Sequence, residues 1–158
     1  MGVLPPCNCP PGPPGPPGPA GGLSEFAYIY NLSEQVVALE EDVIFDSNGL
    51  LTAGILHLPG SDSIQIVNAG TYEVTFSVSG TEESQFALFL NETTLVPGTI
   101  YASGAGTQQN NGQAIFTIEA GDVLTLRNHS SNAAVGLTTP IGGTQANVNA
   151  SIVIKKLN

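Results

Sequence analysis

The side chains with chemistry to offer in this 158-residue chain are few: two cysteines, two histidines and two clusters of carboxylates. Cys7 and Cys9 stand as Cys7-Asn8-Cys9, directly before a run of proline and glycine. A bridge between them would close a very tight loop and be strained. The same pair could knot sister chains together, or bond to another protein; a metal clip would want histidines nearby, and two inert thiols would want nothing. Spacing and setting favour covalent bonds that leave the chain. His129 lies among Asn128, Ser130 and Ser131, and His57 stands alone. Nucleophilic catalysis needs a serine oriented by a histidine and an acid, and the Gly-x-Ser-x-Gly elbow that exposes such a serine is missing. Neither an enzyme nor a cofactor is expected. Glu40-Glu41-Asp42 and Glu82-Glu83 could attract calcium, which needs six to eight oxygens at defined spacing. Neither cluster has that loop pattern, so both read as solvated acidic turns and no metal is expected. The four Asn-x-Ser/Thr sequons, at Asn31, Asn91, Asn128 and Asn149, arise easily by chance in a chain this rich in Asn, Ser and Thr.

The stretch that must position the cysteines runs from Pro10 to Gly22. Glycine recurs at every third place, Gly12, Gly15, Gly18 and Gly21, and proline fills most of the rest. Proline fixes φ near the polyproline II value, and only glycine fits where three such chains meet on a common axis. The period therefore predicts a collagen-like arm and a trimer; a stiff proline spacer is the other reading. At roughly 3 Å per residue the rod is about 35 Å long. A triple helix that short needs support at its ends. The expected division is an arm over residues 1–22 and one domain over residues 23–158, an ordinary size for a single core.

Charge narrows the partners. Three basic and 13 acidic residues leave a net charge of −10, so phosphate backbones and anionic membrane surfaces are disfavoured. Charged residues are only 10% of the chain, which leaves Ser, Thr, Asn, Gln and Gly to build the surface. No apolar run approaches the roughly 20 residues that span a membrane. The first 22 residues lack the basic start and apolar core of a signal peptide. Met1-Gly2 opens like a myristoylation site, but Pro6 stands where that motif wants Ser or Thr.

From Leu23 onward the pattern is β. Short alternating runs separated by turn residues predict a sandwich or barrel of nine or ten strands without helices. They fall at Phe26–Tyr30, Asp42–Phe45, Ser63–Val67, Thr71–Ser79, Gln85–Leu90, Gln113–Glu119, Val123–Arg127, Ala134–Thr138 and Asn147–Lys155. The clearest puts Tyr72, Val74, Phe76 and Val78 on one face and Thr71, Glu73, Thr75 and Ser77 on the other. Ser47-Asn48-Gly49 reads as a turn, and Ser103–Gly112 as a long polar loop of the kind that carries function or merely connects. Two strands are apolar on both faces. In the first, Ala27 and Ile29 suit a core while Tyr28 and Tyr30 face away; in the last, Val153 opposes Ile152 and Ile154. Apolar residues on both faces predict cover on both, and tyrosine buries area while keeping a hydroxyl to bond. Tyr28, Tyr30 and Val153 are thus the candidate trimer contacts.

A Gly-Pro-Pro run before a β-domain carrying Gly70–Ser79, Tyr101–Gln113, Ala120–His129 and Gly143–Ser151 resembles the BclA-type collagen-like glycoproteins of the spore surface in the Bacillus cereus group. The resemblance runs from about Cys7 to the end. It implies a ten-strand jelly roll of the tumour-necrosis-factor and complement-head type, packed as a homotrimer at the tip of a collagen-like stalk. It also implies residence on the exosporium after mother-cell lysis, and a structural or adhesive role toward a host surface protein or glycan. The stalk here is shorter than the family's, and no targeting leader is recognisable before Cys7. Attachment through Cys7 and Cys9 to a filament or basal-layer protein would take the leader's place. Two other classes of function stand beside this one: a bacteriophage fibre tip that binds a receptor, and a lectin-like carbohydrate-binding module, which 4 Tyr and no Trp supply poorly.

Overall fold

A computed structural model describes residues 2–18 and 21–158. Met1, Pro19 and Ala20 lie outside the described residues, and with them one proline of the collagen-like repeat and the first residue of the myristoylation-like start. Residues 2–18 form no helix or strand, and all are exposed. Among the described residues, a Cβ built on Gly12, Gly15, Gly18 or Gly21 would meet nothing within 4 Å. Nothing among them therefore demands glycine at these places.

Beyond the arm the described residues form strands and no helix. The strands are β1 (Phe26–Asn31), β2 (Gln35–Val37), β3 (Ser47–Leu51), β4 (Ile55–Leu56), β5 (Ile64–Ile66), β6 (Gly70–Val78) and β7 (Ser84–Leu90). They continue as β8 (Thr94–Leu95), β9 (Tyr101–Ser103), β10 (Asn110–Ile118), β11 (Val123–Asn128), β12 (Val135–Leu137) and β13 (Ala150–Lys156). A five-stranded sheet is ordered β10-β6-β13-β1-β3. It faces a six-stranded sheet ordered β4-β5-β11-β7-β8, in which β9 also pairs with β7. β12 and β2 form a separate pair. Every pairing is antiparallel, and long crossovers link the sheets, which makes the sandwich a jelly roll.

Period-two patterning builds the core. Tyr72, Val74, Phe76 and Val78 of β6 are no more than 1% exposed, as are Ile152 and Ile154 of β13 beside them. Phe86 and Leu88 of β7, and Leu124 and Leu126 of β11, face them from the other sheet, fully buried. Each such side chain contributes about 1.5–3 kcal/mol by leaving water. The one buried hydroxyl on this stripe, of Tyr72, donates to Asn68 O at 2.7 Å.

Register fixes the two ends of the molecule. Phe26 pairs with Lys155, and Lys156 N donates to Glu25 O, so the arm leaves beside the C-terminus. β6 runs from that end to Val78, and β7 and β13 start back from the far end. The loops after β6, β9 and β11 therefore gather at the end away from the arm.

The differences from the sequence pattern are local. Asp42–Phe45 forms only isolated bridges, Asp42 with Arg127 and Phe45 with Ser61. Ser47-Asn48-Gly49 opens β3 instead of making a turn. Gly49 is needed there because a Cβ would press on Tyr28 Cδ1 at 2.9 Å. The final strand begins at Ala150, and Val148 lies before it, 39% exposed. Thirteen strands replace nine or ten because β2, β4, β8 and β9 are two- or three-residue pieces too short to show a period, and β3 begins with the composition of a turn.

Gly112 of β10 sits where Phe76 and Tyr101 cross edge to face, and an added Cβ would strike the Phe76 ring and lie 2.7 Å from Tyr101 Cδ2. Gly112→Ala is expected to cost about 1–3 kcal/mol of stability through overpacking. Denaturant midpoints measured beside an exposed control, Gly143→Ala, where an added Cβ meets nothing within 4 Å, will check this; equal midpoints would refute it.

Candidate functional site

The outward face of the five-stranded sheet is the broadest feature outside the core. Its side chains follow from register. Phe26, Lys155, Glu73 and Ile115 form one row, and Tyr28, Val153, Thr75 and Gln113 the next. Tyr30, Ser151, Ser77 and Asn111 form the third. The structure thus brings Tyr28 and Val153 directly opposite each other and sets Tyr30 two residues along the same strand face. The two tyrosine rings stack with centroids 5.0 Å apart, and the Tyr28 ring lies over Gly49. Phe26 and Tyr28 are each 39% exposed, and Ile115, on the edge strand, is 65% exposed. Lys155 and Glu73 are cross-strand neighbours, yet the ion pairs among the described residues lie elsewhere. An apolar, aromatic shelf with polar margins has the composition of a surface that buries area against protein.

The residues with catalytic potential are engaged in holding the fold. His129 Nδ1 lies 2.8 Å from Glu40 Oε2, and Ser130 N donates to the same carboxylate. Arg127 Nε donates to Asp42 Oδ1 at 2.8 Å, and its guanidinium covers the Phe89 ring at 4.0 Å. His129 meets the edge of that same ring. Together these contacts strap the turn at Glu40–Asp42 across β11 and β7. The Ser131 hydroxyl donates to Asn128 Oδ1 and accepts from Gln85 N. His57 faces Asn48 Oδ1 and Ser61 O through its two ring nitrogens. Among the described residues, no serine hydroxyl bonds to either histidine ring, and no three of His, Cys, Asp and Glu gather as a metal site. Glu82 accepts from Thr81 and Gly136 N, and Glu83 from Asn132.

Three of the four sequon asparagines are internal struts. Asn31 Nδ2 donates to Asn149 Oδ1 at 2.8 Å, and Asn149 Nδ2 to Ser33 O at 2.9 Å; both residues are 1% exposed. Asn128, fully buried, donates to Val37 O. Only the side chain of Asn91, in the turn after β7, reaches the surface. The polar loop is shorter than its composition suggests, since Ser103 closes β9 and Asn110–Gly112 opens β10. Its Gly106 packs against the backbone of Thr81 so closely that no Cβ would fit. Cys7 and Cys9 are joined to each other, their Cα atoms 5.3 Å apart. That separation lies within the ordinary disulfide range.

Comparison with known proteins follows this geometry. The family profile described as the BclA C-terminal domain matches residues 27–158. Among solved structures, the globular domain of zebrafish complement 1qA protein aligns over 84% of this chain and 94% of its own, at 10% identity and a TM-score of 0.60. Murine APRIL aligns over 84% of this chain and 98% of its own, at 12% identity and a TM-score of 0.59. The PRD1 vertex protein P5 aligns over 87% of this chain and 100% of its own, at 15% identity and a TM-score of 0.53. A search of curated protein sequences returns no significant match.

The strap carries a pH signature. The hydrogen bond from His129 is the main influence holding the Glu40 carboxyl below its ordinary value, with Ser130 N and the nearby positive charges helping. A carboxylate with a depressed folded pKa adds stability above its unfolded pKa and loses it as pH falls through the folded value. Glu40→Gln should therefore lower Tm near pH 7, and the gap to the native chain should close below about pH 4. Thermal melts across pH test this; a gap that persists or widens in acid would refute it.

Proposed function

The chain belongs to the BclA C-terminal domain family, and from that membership we propose that it is the trimeric head of a collagen-like filament on the bacterial spore surface. The observation that carries the reading is the shelf of Tyr28, Tyr30 and Val153 on the outward face of the five-stranded sheet. Rotation by a third of a turn brings such a face against a different surface of the next copy, and the ring closes at three. The open edge at β10, with Ile115 largely exposed, offers an apolar counterpart. The arm supports the same number. Among the described residues its glycines meet nothing of their own chain, and three polyproline II strands around one axis supply the crowding that glycine relieves. The role is structural and adhesive. The head holds a short triple helix in register and presents a polar, acidic end to a host surface protein or glycan. Repulsion from nucleic acid and from anionic membranes follows from a charge of −10 per chain.

Cys7 and Cys9 tie the arm at its other end. Both are exposed, and an exposed pair is open to attack by an outside thiolate. Exchange leaves one sulfur bonded to a sister chain or to a cysteine of a filament or basal-layer protein and frees the other as a thiolate. On non-reducing gels, oxidised protein made alone should run as dimer and trimer if sister chains are the recipients. Protein stripped from spores should leave as a larger, thiol-released adduct if another subunit is. Monomer in both preparations would sink the attachment role.

Residues 23–158 should trimerise without the arm, as judged by light scattering at micromolar concentration. The double variant Tyr28→Glu, Val153→Glu should be monomeric and folded by circular dichroism. A monomeric parent would overturn the trimer. Antibody against the head should decorate the outside of intact spores in immunogold micrographs; unlabelled spores would overturn the location.

A further inference from the structure

At the end of the sandwich away from the arm, three segments border an open cavity of about 210 Å³, formed by residues 83–85, 102–104 and 130–132. We propose that it is a saccharide site that takes one neutral pyranose ring. The proposal goes beyond the structural role and stands whether or not the head trimerises.

The cavity is preformed. Gln85 N donates to Ser131 Oγ at 2.8 Å, and His129 N donates to Gln85 O at 3.0 Å, which joins the first and third walls. Asn132 Nδ2 donates to Glu83 Oε1 at 2.9 Å and joins them again at the rim. The second wall is held by Ser103 Oγ, which donates to Ala105 O and Gln108 O, and by β9 pairing with β7. Beneath them, Asn110 Nδ2 reaches Ser84 Oγ. Ser84, Ser103 and Ser131 are all at least nine-tenths buried, so the floor is fixed and hydroxyl-rich.

The lining selects by exclusion. Its volume falls below the roughly 300–1,000 Å³ of drug-sized sites and suits a single ring. No lysine or arginine borders it, and Glu83 does, so anions are repelled. Ala102 is the one wholly apolar side chain in the lining, and the rest of its carbon surface belongs to the stems of polar residues and to backbone. A calcium ion needs six to eight converging oxygens, and the single carboxylate is already bonded to Asn132. What remains are donors and acceptors in mixed order. Among the described residues, the Gln85 amide and the Ser130 hydroxyl make no side-chain hydrogen bond within the chain. Glu83 keeps acceptor capacity beyond its bond to Asn132. Vicinal hydroxyls of a sugar both donate and accept, and fit such a set. Without an aromatic platform each site should be weak, with a Kd on the order of 1 mM, and several heads on one particle would bind by avidity.

Saturation-transfer NMR on the full chain tests this, with methyl α-glucoside, methyl α-mannoside and N-acetylglucosamine as probes at about 10 mM. Transfer to at least one of them is expected, unchanged by EDTA. It should fall at least fivefold in Asn132→Ala and in Gly104→Leu. The second variant fills the cavity from a position where an added Cβ meets only Gln108 Oε1 at 3.7 Å. Circular dichroism and particle size establish that each variant is folded. The result that overturns the proposal is no transfer from any probe, transfer abolished by EDTA, or transfer retained in whichever folded variant is measured.

Discussion

β6 is the strand on which the rest depends. All nine of its residues pair with β10 on one side, and seven pair with β13 on the other. A strand bonded along both edges can spend one face on the core and the other on an exterior surface, because neither face carries its backbone bonding. The inward stripe, Tyr72 to Val78, fills the space between the sheets. The outward stripe, Thr71 to Ser77, becomes a polar margin of the shelf, beside Val153 and then Tyr28 on the neighbouring strands. Core and shelf are two consequences of the same pleat, and a shift of register by one residue would exchange them.

Polar groups finish what the pleat leaves open. Where strands end, buried asparagines supply the missing hydrogen bonds: Asn31 with Asn149, and Asn128 with Val37 O. Where a long crossover passes over the outside of the six-stranded sheet, the Arg127–Asp42 ion pair and the His129–Glu40 hydrogen bond pin it against Phe89. The chain's scarce cations are thus partly committed to architecture. Arg127 is in the strap, and both lysines lie in β13 near the arm. The far end of the molecule is left to carboxylates, amides and hydroxyls.

Much of this could be read from residue order alone, and the limits have physical causes. The strand at Thr71–Ser79 was legible to within a residue because a nine-residue alternation has one comfortable conformation. Tyr28, Tyr30 and Val153 were legible as outward-facing because their neighbours alternate with them. β3 was not legible, since Ser47-Asn48-Gly49 has the composition of a turn; its glycine answers to the ring of Tyr28, 21 residues earlier. The same ambiguity misplaced Asp42–Phe45, an apolar run that lies against the sheet without a ladder. The cavity could not have been found in the sequence, because its walls are separated by tens of residues and only the register of β7 with β9 and β11 brings them together. The sequons were legible only as motifs, since a motif does not say which way an asparagine points.

The arm joins the head at the start of β1, and that strand lies between β13 and β3. On the adhesive role proposed above, a pull on the arm against a bound tip would run along the axis of β1. Its hydrogen bonds to β13 would be loaded side by side, in shear, and would have to fail together instead of opening one after another. The strand that would receive such a force is paired on both edges, and the sheet would resist as a whole.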